Sequence, residues 1–299
     1  MRSTVLAPAK LNLFLDITGK RNDGYHIVNM IMQSVSLFDE VTVTKESGND
    51  ITISCTDKTI PCDSTNTVYI AAQKFFEYAE MSPTGLSIKI KKRIPSQAGM
   101  AGGSTDAAAV LIAMNEIFDT DYSQVELAEI AADVGADVPF CIFGGTMTAT
   151  GIGTILSPLP DIPDCFIVIV KPEINISTKE AYEKSDKVGY DECKNSETMA
   201  DCICNGSLEG IGKNMYNKFE EVVDISEIKG IKNCMKKFGA LGACLTGSGS
   251  AVFGIFAEKS DADDCICQLE TVYSDIYLVH PTSEGCHFVP QQSILGNLF

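Results

Sequence analysis

Positive charge is scarce in this 299-residue chain: 23 Lys and Arg against 40 Asp and Glu leave a net charge of −17. Such a surface repels phosphate polymers, so neither nucleic acid nor an anionic membrane is expected as a partner, and any anionic ligand must be held locally. Tryptophan is missing, and histidine occurs only at His26, His280 and His287. The twelve cysteines form no C-x-x-C pair; Cys202 and Cys204, like Cys265 and Cys267, stand C-x-C. Without histidine pairs to complement them, a structural zinc site is not expected, and reduced thiols in a cytoplasm are. No apolar run approaches the roughly 20 residues of a membrane-spanning helix. Pro8, Lys10 and Asn12 also break the first apolar segment, so an export signal is not expected. Length and a 45 % hydrophobic content suit a globular protein large enough for two compact units.

The glycine-rich stretch at residues 94 to 116, IPSQAGMAGGSTDAAAVLIAMNE, lacks the Gly-Lys pair of a P-loop. Five positions after Gly99 stands Ser104, so G-x-x-x-x-G-K-[ST] fails, and G-x-G-x-x-G fails as well. Glycine suits a loop, whereas AAAVLIAM is strongly helix-forming, so the stretch predicts a loop feeding a helix. Ser104, Thr105 and Asp106 are good helix-start and capping residues, and Val110, Met114, Ile117 and Phe118 follow with helical spacing. Free amides and the positive end of a helix dipole there would suit a phosphate. The glycines alone favour an ordinary turn before a core helix.

Elsewhere, EVTVT at 40 to 44 and DITISC at 50 to 55, separated by ESGN, predict a hairpin. A helix over NTVYIAAQKFFEYAE and a strand in GLSIKIKKRI follow, then a second amphipathic helix in SQVELAEIAADVG. GADVPFCIFGG reads as a turn and TMTATGIGTIL as paired strands. The Pro- and Asp-rich SPLPDIPD at 157 to 164 marks a domain boundary. Beyond it come the strand CFIVIV, helical stretches near 178 to 187, 227 to 238 and 259 to 272, and GACLTGSGSAVFGIFAE as strand, glycine turn and strand. Both halves mix strands and helices, which predicts two α+β domains.

Four stretches occur in a telling order: PAKLNLFLDITGKRNDGYH at 8 to 26, the glycine loop, GADVPF at 135 to 140 and LTGSGS at 245 to 250. Together they resemble the GHMP kinase superfamily over nearly the whole chain. The resemblance implies an α+β fold of two domains: residues 1–158 as an N-terminal, ribosomal-protein-S5-domain-2-like, ATP-binding domain, and 159–299 as a ferredoxin-like α/β-plait domain. It implies phosphorylation of a small-molecule alcohol by ATP with Mg²⁺. The opening AKLNLFL, the run ending in Tyr25 and His26, and GADVPF point to a branch acting on a cytidine-diphosphate-linked polyol.

The same resemblance implies roles. Gly99, Met100, Ala101, Gly102, Gly103, Ser104 and Thr105 would cradle the phosphates through backbone N–H groups, with Pro95 ahead of them and a hydroxyl, Ser104 first, able to reach Mg²⁺. Asp137 matches the catalytic aspartate and Lys10 its partner, although alone Asp137 reads as a turn residue and Lys10 as a surface lysine. Asn12 would bind the polyol, and Tyr25 and His26 the cytosine. Asn66 would contact adenine or simply cap its helix. Gly247, Ser248 and Gly249 would close over the first loop. Asp16 and Asp23 read as turn caps. Gln97 and Ala98 stand where other members carry glycine, and Asp106 where several carry asparagine. Residues 185 to 215 match nothing. Two alternatives stay open: another GHMP kinase such as homoserine kinase, and a non-catalytic binding protein, against which the presence of both Lys10 and Asp137 speaks.

Overall fold

A computed structural model describes residues 1–190, 195–222 and 224–289. The chain opens on two long strands, β1 (Arg2–Lys20) and β2 (His26–Lys45), paired antiparallel with register shifts after Pro8, Asn12 and Ile17. The first shift leaves two extra residues on β2 and each of the others one on β1, which re-aims the side chains that follow. Lys10, Asn12 and Asp16 are thereby buried in the same strand as Leu11, Leu13 and Ile17. The first segment is an internal strand of the sheet, which explains its apolar residues.

Strand β3 (Ile51–Cys55), helix α1 (Thr67–Tyr78) and strand β4 (Leu86–Lys91) follow as one crossover unit. The expected hairpin of residues 40–44 with 50–55 does not form, because β4 lies between β2 and β3, antiparallel to the first and parallel to the second. Burial explains the insertion. Leu86, Ile88 and Ile90 of β4 are all fully covered, whereas β3 is only half-buried and takes the edge.

Helix α2 (Gly102–Phe118) starts two residues before Ser104, so the expected capping by Ser104 or Thr105 is replaced: Ala101 is the N-cap, with left-handed backbone and no side-chain cap bond. The small residues of AAAV let α2 lie flat against β1 and α1, and Ala107, Ala108, Ala109 and Val110 are fully buried. Helix α3 (Gln124–Ala132) begins with a capping box between Ser123 and Glu126. The segment VPFCIF, expected as a turn, is a short helix, α4 (Val138–Phe143), with Pro139 in its first turn and Asp137 at its N-cap. Strands β5 (Thr146–Thr150) and β6 (Ile155–Pro158) pair as expected.

The second half runs β7 (Phe166–Val170), α5 (Thr178–Val188), α6 (Asn195–Cys204), α7 (Leu208–Asn214), β8 (Tyr216–Asn217), α8 (Ser226–Lys237), β9 (Gly242–Leu245), β10 (Val252–Phe256), α9 (Lys259–Leu269), β11 (Ile276–Val279) and β12 (His287–Phe288). Its sheet, in the order β11-β7-β10-β9, is antiparallel throughout, the ferredoxin-like arrangement expected. Strands β8 and β12 leave that sheet and pair with β1 in the first one. Side chains from both halves can therefore meet beside β1. Among the described residues no helix is long and apolar enough to cross a membrane, and the eleven cysteines there are all unbridged.

Candidate active site

Two glycine turns pack backbone on backbone at the centre of the molecule. Gly99 (φ +75°) and Gly247 (φ +54°) both hold left-handed backbone, and a Cβ on Gly99 would fall 2.1 Å from the Thr246 carbonyl oxygen. Only glycine allows this approach. Ala251 N–H donates to the Ala98 carbonyl at 3.2 Å and the Thr246 hydroxyl to the Gly99 carbonyl at 3.3 Å, which ties the turns together. Behind them, Asn217 Nδ2 donates to the carbonyls of Leu245 and Gly247 at 2.7 and 2.8 Å, and the Ser248 and Thr178 hydroxyls are 2.8 Å apart.

The first turn lines a cleft of ≈ 410 Å³ running from Pro61 and Asn66 past Pro95 to Ser104. The first intrahelical bond of α2 goes from Thr105 N–H to the Ala101 carbonyl, leaving the amides of Gly102, Gly103 and Ser104 ahead of it as the open end of a helix. Gln97 holds left-handed backbone (φ +54°), a conformation that glycine adopts at less cost. Thr105 turns away from the cleft: its buried hydroxyl lies 3.4 Å from Cys286 Sγ. Asn66 caps α1, accepting from Val68 N–H at 3.0 Å while its amide donates to the Pro61 carbonyl at 2.7 Å.

A second cavity, of ≈ 300 Å³, shares Gly99, Ala101 and Ser104 with the first and adds Lys10, Asp137, Tyr182, Gly247 and Ser248. Lys10 Nζ stands 3.7 Å from the Asp137 carboxylate; the lysine side chain is 5 % exposed and the aspartate 32 %. Asn12 positions this ammonium. Its Oδ1 accepts from Lys10 Nζ at 2.5 Å and from Gly247 N–H at 3.0 Å, so one amide oxygen couples the lysine to the second glycine turn. The Asn12 Nδ2 group faces Met30 Sδ at 3.4 Å.

Tyr25 is 60 % exposed at the tip of the β1–β2 turn, where Asp23 caps its amide, and it does not line the cavity. His26 stacks on Tyr182 with ring centroids 4.3 Å apart and reaches Asp186 through Nε2. Burial, and then the Asp137 charge, push the Tyr182 hydroxyl up to about 12. Tyr182 and Asp186 lie on α5 and Asn217 on β8, and no local motif announces them; Thr246 falls within the second glycine stretch, LTGSGS.

Beneath the first turn, Lys92 Nζ sits between Asp39 and Asp106, 2.8 Å from the latter, and a Cβ on Gly102 would lie 3.1 Å from it. One ammonium thus serves two buried carboxylates. Asp39 also accepts from the Arg93 and Ile94 amides, while the second oxygen of Asp106 has no hydrogen-bond partner among the described residues. Burial, with Asp39 alongside, raises the Asp106 carboxyl from 3.8 to about 7 against the pull of Lys92. The native state then holds a proton that the unfolded chain releases, so this contribution to stability declines as pH rises from 3.8 to about 7. Asp106→Asn, isosteric with the protonated acid, should remove the decline: relative to wild type it gains on the order of 1 to 3 kcal/mol between pH 5 and pH 8, read by urea unfolding. A constant difference across that range would show that Asp106 does not carry the proton.

Two pockets that share the first glycine turn, the second lined also by an ammonium and a carboxylate, fit a phosphotransferase of the GHMP class. The family model for the GHMP kinases N-terminal domain matches residues 66–145 and that for the GHMP kinases C-terminal domain residues 199–275. A 4-diphosphocytidyl-2-C-methyl-D-erythritol kinase of Caldicellulosiruptor bescii is 42 % identical over 94 % of this chain and 99 % of its own. The enzyme of the same name from Clostridium tetani is 40 % identical over 92 % and 98 %. The chain belongs to the family of these kinases. A crystal structure of 4-(cytidine 5'-diphospho)-2C-methyl-D-erythritol kinase superposes with a TM-score of 0.78 at 29 % identity, covering 94 % of this chain and 99 % of that one. A homoserine kinase from Cytophaga hutchinsonii superposes as well, with a TM-score of 0.79, but at 19 % identity it speaks for the fold alone.

Proposed function

We propose that this chain transfers the γ-phosphoryl group of ATP to the C2 hydroxyl of 4-diphosphocytidyl-2-C-methyl-D-erythritol, giving the 2-phosphate and ADP in the non-mevalonate route to isoprenoid precursors. The observation that carries the reading is the Lys10–Asp137 pair, held 3.7 Å apart in the second cavity, which shares Gly99, Ala101 and Ser104 with the cleft along the first glycine turn. Asp137 orients the acceptor hydroxyl and takes its proton late, which a weak carboxylate base can do when the transition state is loose. Lys10, fixed by Asn12, offers its ammonium to the charge that develops on the transferred group. The amides at the start of α2 hold the phosphates in place of a P-loop lysine, with Pro95 and Asn66 lining the outer cleft.

The described residues include no cluster of three His, Cys, Asp or Glu able to hold a cation. Mg²⁺ would come with the nucleotide and neutralise phosphate charge, with the Ser104 hydroxyl as the protein group beside it. Gly247, Ser248 and Gly249 close the junction from the other side. Tyr25 and His26 take the cytosine, their rings and edges supplying stacking and hydrogen bonds. The net charge of −17 fits an enzyme with small-molecule partners, here placed in the cytoplasm.

ADP release should be observed with Mg²⁺, ATP and the cytidine-linked methylerythritol, and not with homoserine. CDP should compete with the polyol substrate. Turnover of homoserine without competition by CDP would transfer the assignment to homoserine kinase.

A further inference from the structure

A short segment outside the four motif stretches grips the second glycine turn. Asn217 ends β8, where it pairs with Leu15 of β1, and the short helix Lys218–Glu221 follows. The Asn217 side chain is buried, and each of its polar atoms is bonded. Nδ2 donates to the Leu245 carbonyl at 2.7 Å and to the Gly247 carbonyl at 2.8 Å, while Oδ1 accepts from Phe219 N–H at 2.9 Å. Glu220, in the helix that follows, accepts from Leu245 N–H at 2.7 Å. The two carbonyls that Asn217 holds belong to the peptide groups on either side of the Thr246–Gly247 peptide. That central peptide is therefore fixed from both ends. Its carbonyl accepts from Gly249 N–H at 3.0 Å, and its N–H, that of Gly247, donates to Asn12 Oδ1 at 3.0 Å.

We infer that Asn217 is a positioning residue for phosphoryl transfer: it aims the Gly247 N–H at Asn12 and through Asn12 holds the Lys10 ammonium against Asp137. The inference rests on the reading of Lys10 and Asp137 as the groups that act on the transferred phosphoryl and the acceptor hydroxyl. Gly247 has left-handed backbone (φ +54°), and glycine moves freely among such conformations, so the direction of its N–H must be set by bonds from outside the turn. Asn12 Oδ1 accepts from both Lys10 Nζ and Gly247 N–H. With the second donor gone, the amide can rotate and the ammonium loses its fixed place. Among the described residues, Asn12 and Asp137 are the side chains that bond to or pair with Lys10 Nζ. Displacing a catalytic group by about 1 Å can lower a rate on the order of a hundredfold.

Steady-state kinetics on the full chain test this, with the folded fraction read by circular dichroism. Asn217→Ala should lower kcat per folded molecule on the order of ten- to a hundredfold, with KM for ATP within about threefold of wild type. A purely structural role would lower stability and leave kcat per folded molecule unchanged; that result overturns the inference. Asn217→Asp is the second variant, of the same size and still able to accept from Phe219 N–H but unable to donate to the two carbonyls, and the same loss of kcat is expected. Asn12→Ala should also lower kcat, and adding Asn217→Ala to it should change kcat by no more than about threefold, since both substitutions cut one chain of bonds. Effects that multiply in the double variant overturn the inference, as does full kcat in Asn12→Ala whether or not any Asn217 variant folds. A wild type that releases no ADP with the polyol substrate removes the phosphotransfer reading and the inference with it, whereas an active wild type with any of the contrary results removes the role of Asn217 alone.

Discussion

Asp137→Asn is expected to lower kcat by about 10²- to 10⁴-fold, the range for loss of a general base. Asparagine keeps the size and polarity of the side chain but cannot take a proton from the acceptor hydroxyl. Folding should be unaffected, since Asp137 makes no side-chain cap bond to α4 and its backbone carbonyl continues to accept from Cys141. The KM for ATP should change little, because the phosphates are held by the amides of the neighbouring turn. Circular dichroism together with ADP release separates the outcomes: an intact protein with full activity would show that the proton goes elsewhere.

Gly99→Ala is expected to cost about 2 to 5 kcal/mol of stability, combining a left-handed backbone that alanine tolerates poorly with a clash in a packed interior. The obstacle is backbone, the Thr246 carbonyl oxygen 2.1 Å from the new carbon, so no side chain can swing aside. Thr246 also accepts from Asn12 N–H at 3.1 Å, so a turn that retreats disturbs the residue that positions Lys10. KM for ATP should rise and kcat fall together. Urea unfolding and steady-state kinetics on the variant check this; wild-type behaviour in both would mean the two turns are not in contact in solution. Gly48→Ala is the comparison: it shares a positive φ, but its new carbon meets nothing within 4 Å.

The local signals were read most easily where neighbours along the chain decide the outcome. α1, α3, α5, α8 and α9 follow their apolar spacing, and the two glycine turns stand where glycine was needed. The misreadings share a cause. β3 does not pair with β2 because β4, 30 residues further on, has the more apolar face and takes the central place. VPFCIF is a helix because Val138, Pro139, Phe140 and Ile142 are covered by the core, which outweighs its turn-like flanks. Ser104 and Thr105 look like caps, but the close contact of the two glycine turns sets the start of α2 at Gly102.

For the site, the resemblance of four ordered stretches to the GHMP kinases nominated Lys10, Asp137 and the glycine cradle, which by local spacing alone read as a surface lysine, a turn residue and an ordinary turn. The distances were not in that order. That Lys10 and Asp137 face each other, that Asn12 joins the lysine to the second glycine turn, and that Asp186 meets His26 all depend on β1 and its turn being clasped by segments more than 100 residues away. Chain-local chemistry settles which residues a segment can offer, whereas burial and the closing of long loops decide which of them meet.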